Sequence, residues 1–199
     1  LFVITNDGEF NAASVHQNNK RVLLINNAIH AGESCGVDAC IELSKDLLNN
    51  DQNNLLEHVI ICIIPGYNVG GMLSRNGTSR PGQNGPEEYG FRGNAKNLDL
   101  NRDFIKCDSK NAKAFTRIYH EWNPDVFIDT HTTNGTDFQY NMSIITTQPD
   151  KLDPLIRNYV REKMNPAIYQ SMETADFEIT PYVLALDKTP DRGFKDYLE

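Results

Sequence analysis

Cysteine is scarce in this chain of 199 residues. Its four cysteines, Cys35, Cys40, Cys62 and Cys107, form no C-x-x-C pair and are too sparse for a disulfide scaffold. Positive charge is also short: 19 Lys and Arg face 27 Asp and Glu, a formal net charge of −8. A generic binder of nucleic acid or of an anionic membrane needs the opposite balance, so neither class is expected. No apolar run approaches the roughly 18 residues that cross a bilayer. The opening residues carry no basic-then-apolar leader, and no internal repeat or low-complexity tract occurs. The compartment stays open. At 39% hydrophobic and 23% charged, the composition is that of an ordinary globular domain. The length predicts one α/β domain over residues 1–199, able to bury a core without staples.

Four short apolar runs are present: Leu1–Ile4, Val22–Ile25, Val59–Ile64 and Val126–Ile128. They are rich in β-branched residues and apolar at consecutive positions, which predicts strands covered on both faces. Between them Val37, Cys40, Ile41, Leu43, Leu47 and Leu48 recur at helical steps, as do Ala112, Phe115, Ile118, Tyr119 and Trp122 before Pro124. A third helix is expected from Leu152 to Met164, broken by Pro166. The stretch Tyr182–Leu186 is ambiguous. Alternating strands and helices imply an α/β fold, a mixed and largely parallel sheet flanked by helices. From Pro65 to Lys96, glycines and prolines crowd a segment with neither periodicity, with Arg75, Arg80 and Arg92 interspersed. A loop of this length in a compact domain is usually functional.

Two constellations could carry chemistry. His30 and Glu33 follow the strand at Val22, and His131 closes the strand at Val126. Loops beyond the carboxyl ends of strands build the ligand site of an open α/β sheet. Two imidazoles and a carboxylate form the protein ligand set of a catalytic Zn²⁺ site. The bland alternative is two surface histidines and a capping glutamate. In the second constellation, Asn101 and Arg102 offer an amide and a planar guanidinium suited to gripping a carboxylate, with Arg92 upstream in Gly90-Phe91-Arg92-Gly93. Its alternative is a solvated basic loop.

Together, His30-Ala31-Gly32-Glu33, Asp99-Leu100-Asn101-Arg102 and Asp129-Thr130-His131-Thr132 resemble the zinc metallocarboxypeptidases, the M14 peptidases. The likeness is closer to their bacterial and cytosolic branches, through the order of Phe91-Arg92-Gly93 and Leu98–Asp103. The resemblance implies that His30, Glu33 and His131 bind one Zn²⁺, with water in the open position. It implies that Asp99 hydrogen-bonds the far nitrogen of His30, which would fix the tautomer and raise ligand basicity. Asn101 and Arg102 would hold the terminal carboxylate of a peptide substrate, and Arg92 would polarise the scissile carbonyl. The implied activity is release of residues from a free C-terminus. In this family the general base is a glutamate on a later strand. Glu162 and Glu173 read as helical and Glu178 lies in a polar context, so the base is expected beyond Glu199 and the domain is expected to be incomplete at its C-terminal end.

Rival readings share these residues. Gly32-Glu33-Ser34-Cys35-Gly36 matches G-x-S-x-G, and Asp129 and His131 could complete a serine hydrolase. Only 33 residues precede Ser34, and Asp129 and His131 stand two apart on one strand, which leaves little room for the separate loops of a triad. Ser34 reads better as an N-cap for the following helix. Nothing marks Cys35 as an activated nucleophile. A zinc deacylase of N-acyl amino acids shares H-x-x-E and D-L-N-R, and a non-catalytic binding module could retain the fold. His16, His58 and His120 have no partners at ligand spacing, and the sequons at Asn76, Asn134 and Asn141 recur by chance in an asparagine-rich chain.

Overall fold

A computed structural model of the protein describes residues 1–49, 54–80, 83, 86–133 and 139–182. The sequon at Asn134 and residues 183–186 of the ambiguous apolar stretch lie outside the described residues. The chain forms two compact units, divided between residues 133 and 134.

In the first unit the elements run β1 (Phe2–Ile4), α1 (Ala12–Val15), β2 (Arg21–Asn26), α2 (Cys35–Asn49), α3 (Leu55–His58), β3 (Val59–Ile64), α4 (Val69–Leu73), β4 (Arg75–Asn76), β5 (Tyr89–Gly90), a 3₁₀ turn (Leu100–Arg102), α5 (Lys110–Trp122) and β6 (Val126–Asp129). Four strands make one mixed sheet in the order β1-β3-β2-β6. β2 lies parallel to both β3 and β6, and β1 runs antiparallel to β3.

Consecutive apolar positions are explained by two cores, one on each face. Side chains alternate across a strand, so Val22, Leu24, Ile60, Cys62 and Ile64 pack with Tyr67, Phe115 and Trp122. Their neighbours Ile25, Ile61 and Ile63 pack with Cys40, Leu47 and Leu56 on the other face. Burial of the Cys62 thiol pushes its pKa up to about 12, leaving an inert filler. Helix α5 starts where the Ser109 hydroxyl accepts from the Ala112 amide at 2.9 Å. It stops at Asn123, left-handed at φ 41°, whose amide donates to the Tyr119 carbonyl.

Three expectations require correction. Among the described residues β6 is not covered on both faces: it stands last in the strand order of this sheet, and Val126 and Ile128 are exposed. The Pro65–Lys96 segment is not structureless. Asn68 caps α4 by accepting from the Gly71 amide, and β4 pairs with β5 in a short antiparallel ladder. In the second unit, Pro166 does not break the helix. That unit holds β7 (Met142–Ile144), a 3₁₀ turn (Pro149–Lys151), α6 (Pro154–Tyr159), a π-helical turn (Val160–Met164), α7 (Asn165–Thr174) and β8 (Ile179–Pro181), with β7 parallel to β8. The helix runs on through Pro166 because the wider π turn precedes it, and the proline occupies the first turn of α7, where its missing N–H costs little. Among the described residues, no helix is long and apolar enough to cross a membrane.

Candidate metal centre

β2 and β6 are adjacent and parallel, in a register that sets Asn26 opposite Asp129, so their carboxyl ends finish side by side. The junction is pinned by polar bonds. Asn26 Nδ2 donates to Asp129 Oδ1 at 2.8 Å, and the Thr130 hydroxyl donates to Asn27 Oδ1 at 2.8 Å. Ala28 then takes a left-handed φ of 54°, unusual for a residue with a Cβ, and turns the chain toward His30. Asn68 Nδ2 donates to the carbonyls of Ile29 and Arg92, tying the loop of His30 to the loop of Arg92.

Two glycines let these loops close. A Cβ at Gly36 would stand 2.1 Å from the Thr130 hydroxyl and 2.6 Å from Asn27 Oδ1. A Cβ at Gly32 would meet the Gly90 carbonyl at 2.9 Å. The G-x-S-x-G match therefore reflects close packing of α2 on the strand ends. Ser34 contributes its backbone carbonyl, which accepts from the Val37 and Asp38 amides and starts α2.

The packing brings together the three expected ligands. His30 Nδ1 lies 2.9 Å from Glu33 Oε1, and His131 Nδ1 lies 3.0 Å from Glu33 Oε2. The two rings are 5.1 Å apart between centroids. One ligand atom from each of His30, Glu33 and His131 falls within 4.8 Å of the others, and among the described residues this is the one such group of three. The outer nitrogens face carboxylates: His30 Nε2 is 3.3 Å from Asp99 Oδ1, and His131 Nε2 is 2.9 Å from Asp129 Oδ2. Two imidazoles whose inner nitrogens converge on one carboxylate, with their outer nitrogens held by acids, fit a Zn²⁺ ion by donor chemistry and by orientation.

The electrostatics follow from this wiring. Burial pushes the Glu33 carboxyl upward, but hydrogen bonds from both imidazoles and the Thr132 amide outweigh it and hold the group well below the usual range. Burial disfavours charge on His131, yet its bonds to Asp129 and Glu33 raise its pKa to about 9. Both ring nitrogens of His131 thus face carboxylates, and neither is left to take a proton from Ser34. The Cys35 thiol is pushed up by desolvation and by the charge of Glu33, the reverse of nucleophile activation.

Asp99 joins the two constellations. Its Oδ1 accepts from the Asn101 amide at 3.0 Å and faces His30, while its Oδ2 accepts from Arg92 Nε at 3.0 Å. Desolvation raises its pKa, but the charge and hydrogen bond of Arg92 override it and lower the carboxyl. Asn101 and Arg102 occupy the 3₁₀ turn that Asp99 caps. Arg102 is exposed, with Nη1 donating to the Asn101 carbonyl. Glu162, Glu173 and Glu178 are all exposed, the first two on helical turns of the second unit.

Sequence reasoning missed Arg80, Gln83, Thr132 and the role of Asp129. Arg80 Nη2 donates to Glu33 Oε1 at 2.6 Å, and the Thr132 amide donates to Glu33 Oε2 at 2.9 Å. Asp129 carried a readable signal, a carboxylate two residues before a strand-end histidine. Arg80 carried only its place in a glycine-rich loop.

The sequence matches the family described as zinc carboxypeptidase, the M14 peptidases, over residues 2–145. No curated protein matches the chain. Among solved structures, a metallo-carboxypeptidase from Burkholderia cenocepacia superposes with a TM-score of 0.61 at 18% identity, over 90% of this chain and 44% of that one. A metallo-carboxypeptidase from Pseudomonas aeruginosa, in complex with (2-guanidinoethylmercapto)succinic acid, superposes with a TM-score of 0.62 at 15% identity, over 98% and 46%. These likenesses show a shared fold. The chain spans less than half the length of either structure.

Proposed function

The chain belongs to the zinc carboxypeptidase family, and from that footing we propose that it is the metal-bearing part of a peptidase that releases residues from a free C-terminus. The observation that carries the reading is the convergence of His30, Glu33 and His131, linked through Asp99 to Arg92 and to the Asn101–Arg102 turn.

In this reading His30 and His131 would hold Zn²⁺ through Nδ1, and Glu33 through its carboxylate. Bound zinc supplies a Lewis acid that polarises a carbonyl and brings the pKa of a water toward about 7. Asp99 and Asp129 keep the outer nitrogens occupied, which would leave the inner ones free to bind the ion as neutral rings. Arg102 and Asn101 grip the substrate's terminal carboxylate by charge-assisted hydrogen bonds and set which peptide bond is offered. Arg92, oriented by Asp99, stabilises negative charge on the scissile carbonyl oxygen; loss of one such donor typically costs about a hundredfold or more in rate. The base is assigned to a glutamate beyond residue 199, as the resemblance implies.

The test is run on the intact protein. Metal analysis is expected to give one zinc per chain, and hydrolysis is expected on peptides with a free C-terminus, with loss of both on chelation. Stoichiometry far below one that added zinc does not restore overturns the metal reading. Turnover confined to N-acyl amino acids overturns the peptidase assignment in favour of a deacylase.

A further inference from the structure

Arg80 is a buried cation that the proposed chemistry does not use. It is 9% exposed and its partner Glu33 is 2% exposed. Besides donating from Nη2 to Glu33 Oε1 at 2.6 Å, it donates from Nε to Gln83 Oε1 at 3.0 Å. Gln83 Nε2 donates in turn to the Thr132 hydroxyl at 3.1 Å, and the Thr132 amide donates to Glu33 Oε2 at 2.9 Å. The circuit Glu33–Arg80–Gln83–Thr132 therefore closes on itself and holds both oxygens of one carboxylate.

A carboxylate offers about four lone-pair directions. On Glu33, one direction per oxygen is taken by the circuit, and the other faces an imidazole Nδ1, the side where an ion would sit. We propose that Arg80 is a positioning residue for the metal ligand Glu33, aiming its carboxylate into the His30–His131 gap through the Gln83–Thr132 circuit. This inference rests on the zinc reading above. It links the glycine-rich segment after β4 to the metal centre, because the Arg80 stem packs over Gly32, where a Cβ would come 3.2 Å from Arg80 Cγ.

Charge alone and positioning predict opposite signs. If Arg80 acted only as a nearby cation, removing it would leave Glu33 more attractive to a dication, and zinc affinity would hold or rise. If it orients the ligand, affinity falls. Zinc dissociation constants are measured by chelator competition on the intact protein and on Arg80→Met, Arg80→Lys and Gln83→Leu, alongside the visible spectrum of the Co²⁺-substituted forms. Positioning predicts a loss of about 10- to 100-fold for Arg80→Met. It also predicts a smaller loss for Gln83→Leu, partial rescue by Arg80→Lys, and altered Co²⁺ bands in the weakened variants. Gln83→Leu leaves the ion pair in place and keeps the test decisive where Arg80→Met does not fold. Unchanged or tighter zinc binding with wild-type Co²⁺ bands overturns the assignment of Arg80 and leaves the function standing. Failure of the wild-type protein to bind zinc overturns the metal reading itself, and this inference with it.

Discussion

His131 Nε2 sits 2.9 Å from the carboxylate of Asp129, two residues earlier and the last residue of β6. Asp99 stands against His30 Nε2 in the same way from a separate loop. Each proposed histidine ligand thus has its own acid, which fixes the ring and keeps the inner nitrogen available. Replacing Asp129 by Ala is expected to weaken zinc binding by about 10- to 100-fold. Chelator competition measures it, and an affinity within twofold of wild type would remove Asp129 from this role.

The same wiring sets a pH dependence. In the metal-free protein His131 has a pKa raised from 6.5 to about 9. The shift stabilises the metal-free fold fully below about pH 6.5, and this contribution is lost as pH rises through about 9. A zinc ligand must be the neutral ring, so in the proposed site loading below about pH 9 should expel a proton. Apparent affinity should climb by about tenfold per pH unit between pH 7 and 8.5 and flatten above pH 9. Titrations in buffers of different ionisation enthalpy would count that proton, and a flat profile would contradict the assignment.

Arg102 is the exposed residue of the turn capped by Asp99. Arg102→Ala should lower kcat/KM on peptides with a free C-terminal carboxylate by roughly ten- to a hundredfold, the worth of a charged hydrogen bond of about 1.5–3 kcal/mol. C-terminally amidated peptides should lose far less. Equal losses on both would take Arg102 out of the carboxylate pocket.

Gly36→Ala places a methyl where the Thr130 hydroxyl stands 2.1 Å away. Overpacking here should destabilise the fold by about 1–3 kcal/mol, read by urea denaturation, and weaken zinc binding as α2 moves Glu33 off the strand ends. Retained stability and affinity would show that the junction yields.

Much of this was legible in the chain. Strand runs with β-branched residues on consecutive positions marked β2 and β3, because both faces of the sheet are covered there. The convergence of His30, Glu33 and His131 was readable because each follows a strand whose carboxyl end faces the same loops. The exposure of β6 was not readable, since an edge strand and a central one can share the apolar run Val126–Ile128. Nor was continuation through Pro166, which depends on a π turn whose hydrogen bonds leave no sequence period. Arg80 was hidden for a different reason: its partner lies 47 residues away, and no spacing rule connects them.

The polar bond from Asn26 to Asp129 joins residues 103 positions apart. Contacts of such sequence separation close late, after the entropy of a long loop has been surrendered. During synthesis His30 and Glu33 leave the ribosome well before His131, and they offer only two donors until β6 docks beside β2. In the proposed site, loading with the ion would therefore report completed folding of the first unit, since it needs β6 seated beside β2.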